Sequence, residues 1–235
     1  MELRGRVATR TAVDVAADLR AQIQSGEIGV GSRLPPQRVM AQKLLVGRQA
    51  VSEALSLLEA EGYVITRRGA QGGSFVCQPV APTAVWMELM RAAMNDLEDS
   101  LDFRVGVECQ IARLAAKRRT DDDIKAMRTA IDSLPRDGVQ RAEFREADGQ
   151  FHAALSRASR NTHLEAALRR TRADLFMPTD NIPYVETVEV TRRQHEAVLR
   201  AVERQDPAAA SRAVERHIEE TRRHLRALVA GEARP

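Results

Sequence analysis

The residues with the greatest chemical potential lie in the last third of the chain. All five histidines, His152, His163, His195, His217 and His224, fall beyond residue 150. Asp148 and His152 are four apart, which on a helix places them on one face. His195 and His217 each sit within a helical pattern, with Val198 and Leu199 beside the first and Val214 and Ile218 beside the second, as Phe151 and Leu155 flank His152. One carboxylate and three imidazoles brought by three helices form a mixed oxygen and nitrogen donor set for a divalent metal. Zinc comes first, with nickel or manganese as alternatives; calcium prefers oxygen alone. Spacing by itself leaves the set open. A helical histidine is more often a surface or satisfied core side chain than a ligand, His224 follows His217 on a similar face and competes for the role, and His163 reads as solvated. A metal held this way also activates water, so a metal-dependent hydrolase or lyase is the rival chemistry. No HExxH-type motif, glycine-rich phosphate loop, GxSxG elbow or Cys-His pairing completes such an active site.

A second set of residues, near the other end, suits nucleic acid. Residues 1–80 hold ten Lys/Arg against seven Asp/Glu, and the remaining chain is balanced, so the whole net charge of +3 belongs to the first third. A helix from Arg48 to about Glu61 carries Val51, Ala54, Leu55 and Leu58 on one stripe and turns Arg48, Gln49, Ser52, Glu53 and Ser56 outward. Arg48, on its first turn, has the planar fork that matches guanine O6 and N7, and Gln49 suits adenine or a phosphate. Arg38 on the preceding helix, and Arg67 and Arg68 further on, are placed to hold the DNA backbone. The glycine-rich tip Gly69 to Gly73, including Gly72, allows close approach to a phosphate or minor groove. Each arginine taken singly is equally an ordinary solvated charge; the ordered set points to DNA.

These residues need elements to carry them. Val13 to Gln24 has Val13, Ala16, Ala17, Leu19, Arg20 and Ile23 at helical spacing, with Gly26 as a stop. A short extended piece, Ser32 to Leu34, precedes Pro35-Pro36, and a second helix covers about Gln37 to Leu44. Leu45 to Gly47 form a tight connection into the third helix, which Gly62 ends. Tyr63 to Thr66 and Ser74 to Cys77 read as two strands of a hairpin. This order is that of a winged helix-turn-helix, which inserts its last helix into the major groove. Prolines at 79 and 82 mark 78–82 as a linker. Seven helical segments follow, at about 84–93, 96–118, 121–133, 139–158, 161–177, 187–205 and 207–230. Thr120 with Asp123 signals a capped start, as does Asp206 before Pro207. The expected fold is thus mainly α: a winged helix-turn-helix with a small β-hairpin wing over residues 1–77, the linker, and an all-helical bundle over 83–235.

Composition agrees. The chain has 235 residues, 43% hydrophobic and 29% charged, enough for a buried core. With only 3% aromatic residues it lacks the makings of a β-rich fold or a base-stacking platform. Two cysteines, Cys77 and Cys109, make neither a disulfide framework nor a cysteine zinc site. No signal-like or membrane-spanning apolar stretch occurs, so a cytoplasmic protein without a membrane partner is expected. A DNA-packaging protein would be more basic throughout.

Segment 13–77 resembles the winged-helix domain of the GntR family of bacterial transcription regulators, through LRAQIQSGEIGVGSRLPPQR, VGRQAVSEALSLLEAEGYV and the RRGAQGGSFV hairpin. The resemblance implies that Arg38 and Arg48 contact operator DNA. Pro36-Gln37 and Gly47 stand where the family usually has serine-glutamate and serine, and Ser52 where it often has arginine; the last change removes a potential guanine or phosphate contact, so the usual operator half-site does not carry over. Residues 84–230 resemble the all-helical ligand-sensing domain of the FadR subfamily, through RVGVE, DGQFHAALSRASRN, QHEAVLRAVERQD and HIEETRRHL. This implies Asp148, His152, His195 and His217 as metal ligands, and Arg104, four before Glu108, as a residue facing the same cavity. There a guanidinium beside the metal would clamp a small carboxylate, with Glu108 at the effector side; a plain i, i+4 surface pair, with Asp102 nearby, is the alternative. The expected protein is a homodimeric, ligand-responsive regulator, a repressor released by an organic-acid effector, with each head reading half of a short palindromic double-stranded operator.

Overall fold

The first helix, α1 (Ala12–Gln24), opens on a full capping box between Thr11 and Asp14, a signal the sequence reading passed over. Its buried face is Val15, Ala16, Leu19 and Ile23. Val13, which the spacing put on that face, is instead 66% exposed and Ala17 is exposed too, because the stripe is centred on the 15/19/23 row and position 13 lies about 200° from Val15. Helix α2 (Gln37–Leu44) begins after Pro36 with no side-chain cap. It ends on Leu45, held left-handed at φ 57°, ψ 42°; for a residue with a Cβ this conformation costs roughly 1–2 kcal/mol. Helix α3 (Arg48–Ala60) follows with Gly47 as its uncapped N-terminus, and it buries Val51, Ala54, Leu55 and Leu58 as the pattern requires. Strands β1 (Val64–Arg67) and β2 (Gly73–Val76) pair antiparallel, from Val64 opposite Val76 to Arg67 opposite Gly73. The expected extended piece adds a bridge from Arg33 to Phe75. Leu34, Met40, Val64 and Val76 join the helical stripes in one core.

The computed structural model describes residues 10–69, 72–77, 94–136, 141–174 and 188–230. The expected linker at 78–82 and the helix expected over 84–93 fall outside them. Beyond the wing the described elements are all helical: α4 (Met94–Arg118), α5 (Asp121–Asp132), α6 (Arg141–Ala158), α7 (Thr162–Asp174), α8 (Val188–Glu203) and α9 (Pro207–Ala230). Thr120 and Asp123 form the anticipated capping box, and Asp206 accepts from the Ala209 N–H at 2.9 Å. Helix α9 runs against α4 and α8, α5 packs on α6, and α4 also meets α6 and α7. Leu101, Ile111, Met127, Phe151, Leu155, Val202 and Ile218 fill the space between them. No described helix is long and apolar enough to cross a membrane.

The head does not merely follow the bundle along the chain; it rests on it. Helix α1 packs against α7. Gly26, at φ 80°, and Gly149 of α6 are both buried and face one another, and a Cβ added to Gly149 would fall on the Ser25 carbonyl and within 2.8 Å of Gly26 Cα. Arg145 donates to the Gln24 carbonyl at 3.0 Å. Arg169 of α7 reaches Glu27 at 2.9 Å and Asp18 at 3.3 Å across the same seam.

Candidate functional site

Four donor-bearing residues come together inside the bundle. Asp148 and His152 descend from α6, His195 from α8 and His217 from α9, and one donor atom of each lies within 4.8 Å of the others. All three imidazoles are buried. His224 and His163, the other histidines, stay outside: His224 lies 3.8 Å from Glu220, and His163 is exposed at the start of α7, where the Asn161 side chain caps the helix.

The hydrogen bonds behind the rings decide what the cluster can do. His152 Nδ1 lies 2.7 Å from Glu108 Oε2, and His217 Nδ1 lies 2.7 Å from Gln194 Oε1. Both partners accept, so both Nδ1 atoms carry the proton and both Nε2 atoms present lone pairs. Yet those two Nε2 atoms are 3.3 Å apart, face to face. His195 Nε2 is 3.3 Å from Asp148 Oδ1 without hydrogen-bond alignment, and neither of its ring nitrogens has a partner. Lone pairs converging in a buried space repel unless a cation lies between them. Four-coordinate zinc with bonds of about 2.0–2.1 Å needs neighbouring donors roughly 3.3 Å apart, which is the spacing of both close pairs. The residues therefore fit a divalent ion, and outer partners fixing each ring's tautomer are what such sites require.

The charges agree with neutral imidazoles. Burial first, and then Arg172, push His152 down to about 4, against the opposing pull of Glu108 and Asp148. Burial and the neighbouring rings of His195 and His152 hold His217 well below the ordinary histidine range. Burial works to raise Glu108 and Asp148, but Arg104 beside the first and Arg172 beside the second outweigh it, so both stay ionised. Arg104 and Glu108 do form the i, i+4 pair, at 2.7 Å, and it is buried at the cluster instead of lying on the surface. Glu108 spends one oxygen on Arg104 and the other on His152. Arg104 uses only Nε in that bond, leaving its Nη donors without a protein partner among the described residues. Asp102 points elsewhere, 73% exposed and bonded to Arg222. Two members of the site escaped the sequence reading. Gln194 precedes His195 but serves His217, and Arg172 holds Asp148 Oδ2 at 2.5 Å from a helix that carries none of the four donor residues.

On the head, Arg38 and Arg48 line one open concavity of about 420 Å³ between α2 and α3, together with Gln42, Leu45, Val46 and Gly47. Gln49 is exposed and donates to Glu53 at 3.0 Å, and Ser52 is exposed with its carbonyl taken by Ser56. At the wing, the Arg67 guanidinium sits 4.9 Å over the Phe75 ring, and Arg68 is exposed. The Gly72 carbonyl accepts from Arg33, a further cation at the wing that was not anticipated.

Comparison with known proteins gives two family matches: "Bacterial regulatory proteins, gntR family" over residues 11–76 and "FCD domain" over residues 99–220. The chain is similar to the Exu regulon transcriptional regulator of Escherichia coli K12, 32% identical over 224 residues, spanning 88% of this chain and 81% of that protein. It is also similar to the transcriptional repressor NanR of Cronobacter sakazakii (27% identical; 87% of this chain, 81% of that protein) and to the Glc operon transcriptional activator of E. coli K12 (27%; 90% and 87%). The structure of E. coli McbR/YncC shares the fold, with a TM-score of 0.53 at 17% identity, covering 92% of this chain and 96% of that one. A hydrolase or lyase finds no support among these relatives. The chain belongs to the gntR family of bacterial regulatory proteins, a transcription regulator whose C-terminal part is an FCD domain.

Proposed function

We propose that the protein is a metal-dependent, organic-acid-responsive repressor. The observation that carries this reading is the pair of facing Nε2 lone pairs on His152 and His217, 3.3 Å apart, beside the unpartnered His195 and the Asp148 carboxylate. These four residues would hold zinc, or nickel or manganese in its place. When bound, the metal would supply a Lewis-acidic centre to which a carboxylate oxygen binds. Arg104, whose Nη donors meet no partner among the described residues, takes the carboxylate's second oxygen, and Glu108 holds Arg104 and His152 in place.

On the head, Arg48 and Gln49 at the start of α3 meet base edges, with Ser52 one turn further along. Arg38, Arg67, Arg68 and the Gly72 backbone hold the sugar-phosphate chain. Two copies of the cytoplasmic protein, paired as a homodimer, read the halves of a palindromic operator. Effector binding is transmitted where α6, which carries Asp148 and His152, bears on the end of α1 at Gly149 and Gly26. A coupling of ~1–3 kcal/mol between the two sites is enough for a useful switch.

The test uses the full-length protein and an operator enriched from a random duplex pool. Operator affinity is measured after chelation, after reloading with zinc, and with each of a panel of small carboxylates. The expected result is an affinity loss of at least about fivefold with one class of carboxylate, in the metal-loaded protein only. An equal response after chelation would overturn the metal's part. A rise in affinity with the acid would make the protein an activator or co-repressed regulator.

A further inference from the structure

We propose that Leu45 is a base-reading residue, whose side chain takes the 5-methyl group of a thymine next to the base met by Arg48. The proposal rests on the assignment of the α2–α3 face to DNA. Leu45 is 90% exposed, more than any other large hydrophobic residue among those described; Val13, the next, is 66% exposed. It is also one of three non-glycine residues there with positive φ, and the other two, Arg160 and Gln205, are polar. A glycine would remove both the backbone strain and the apolar exposure. A residue that carries both, in a short turn at a binding face, is a candidate for a role outside the fold.

The local structure shows why the side chain stays out. Leu44 and Val46 on either side pack against the head's core, and the Leu45 and Val46 N–H groups both converge on the Ala41 carbonyl, Val46 at 3.0 Å. With its neighbours anchored inward and the turn closed by these bonds, Leu45 can only point outward. Outward here is the concavity lined by Arg38, Gln42, Gly47 and Arg48. The arginines on that surface call for a polyanion, and the one apolar group that a duplex presents on a base edge in the major groove is the thymine methyl. An apolar side chain set between arginines thus reads what the cations cannot.

The experiment again starts from duplexes enriched by the full-length protein, at fixed salt. Each thymine of the enriched site is replaced in turn by deoxyuridine, which removes only the methyl group. Wild-type protein is expected to lose about fourfold in affinity at one thymine per half-site, the effect of one buried methyl group. Leu45→Gly is expected to bind both duplexes alike at that position, at the weaker affinity, while its melting midpoint rises. Arg48→Ala serves as the control for the underlying assignment, with a loss of specific binding at a different base. Unchanged affinity of Leu45→Gly and silent deoxyuridine scans, with Arg48→Ala still defective, would overturn the role of Leu45 alone. Failure of the pool to enrich any duplex would overturn the DNA assignment and the proposal with it. A change in sedimentation of Leu45→Gly with an unaltered thymine profile would make the exposed leucine a contact between copies of the chain and overturn the proposal.

Discussion

Glu108 serves two partners at the cluster. Its two oxygens fix Arg104 and the tautomer of His152 at once. Glu108→Gln leaves one acceptor and should lower zinc affinity about 10–100-fold, as measured by competition with a chelator; unchanged affinity would show that His152 needs no partner to orient it. The neutral rings also set a pH dependence. In the unfolded chain His152 titrates near 6.5, and in the folded protein near 4. As pH falls the unfolded chain takes the proton first, so this group's contribution to stability is complete above about 6.5 and is lost between about 6.5 and about 4. The depressed His217 acts in the same direction. Chelated protein should therefore melt at progressively lower temperature across that window, and His152→Gln should flatten the slope. The four residues of the cluster fall at helical spacing within apolar patterns, but that spacing left the set open, and it was the resemblance to a known family that singled them out. The Arg104–Glu108 pair was not fully legible, since an i, i+4 pair looks the same in sequence whether it lies on a surface or in a core.

At the scale of elements, α6 and α7 each serve two neighbours. Between Arg145 and His152, α6 bonds the Gln24 carbonyl, abuts Gly26 and supplies two of the four metal-ligand candidates. Helix α7 grips the head through Arg169 and Asp148 through Arg172, three residues apart. Gly149→Ala tests this arrangement. Alanine gains about 1 kcal/mol in helix propensity over glycine in an open helix, yet here its methyl group meets the Ser25 carbonyl. The expected outcome is a head that unfolds in a separate calorimetric transition and a DNA affinity that no longer answers to effector; one unchanged transition would show that the seam gives way without consequence. Helix positions in the head were legible from stripes and glycine stops, apart from the α1 face, where the expected set took in Val13 and left out Val15, about 200° away, on which the buried stripe is centred. The seam was not legible. It joins residues more than a hundred positions apart, and a glycine inside a helix gives no sign of what approaches it.

For the whole molecule, the head's hydrophobic core is separate from the two clusters of the bundle, and arginines bridge head and bundle. Metal binding should therefore act first on the bundle. At a hundredfold excess over its Kd, zinc should add about 2.7 kcal/mol to the bundle's stability, read as a melting shift that chelation reverses. Arg48→Ala should weaken binding to the enriched operator far more than to random duplex; equal losses would reduce Arg48 to a phosphate contact. The seam also bears on how such proteins can be recombined. A boundary drawn at the linker suggests that heads and bundles are interchangeable cassettes. With Gly26 seated on Gly149 and Arg169 clasping Glu27 and Asp18, a transplanted head would fold and bind its operator but be deaf to the bundle's ligand. Restoring its hearing would require carrying over the 18–29 surface, or rebuilding its match on α6 and α7.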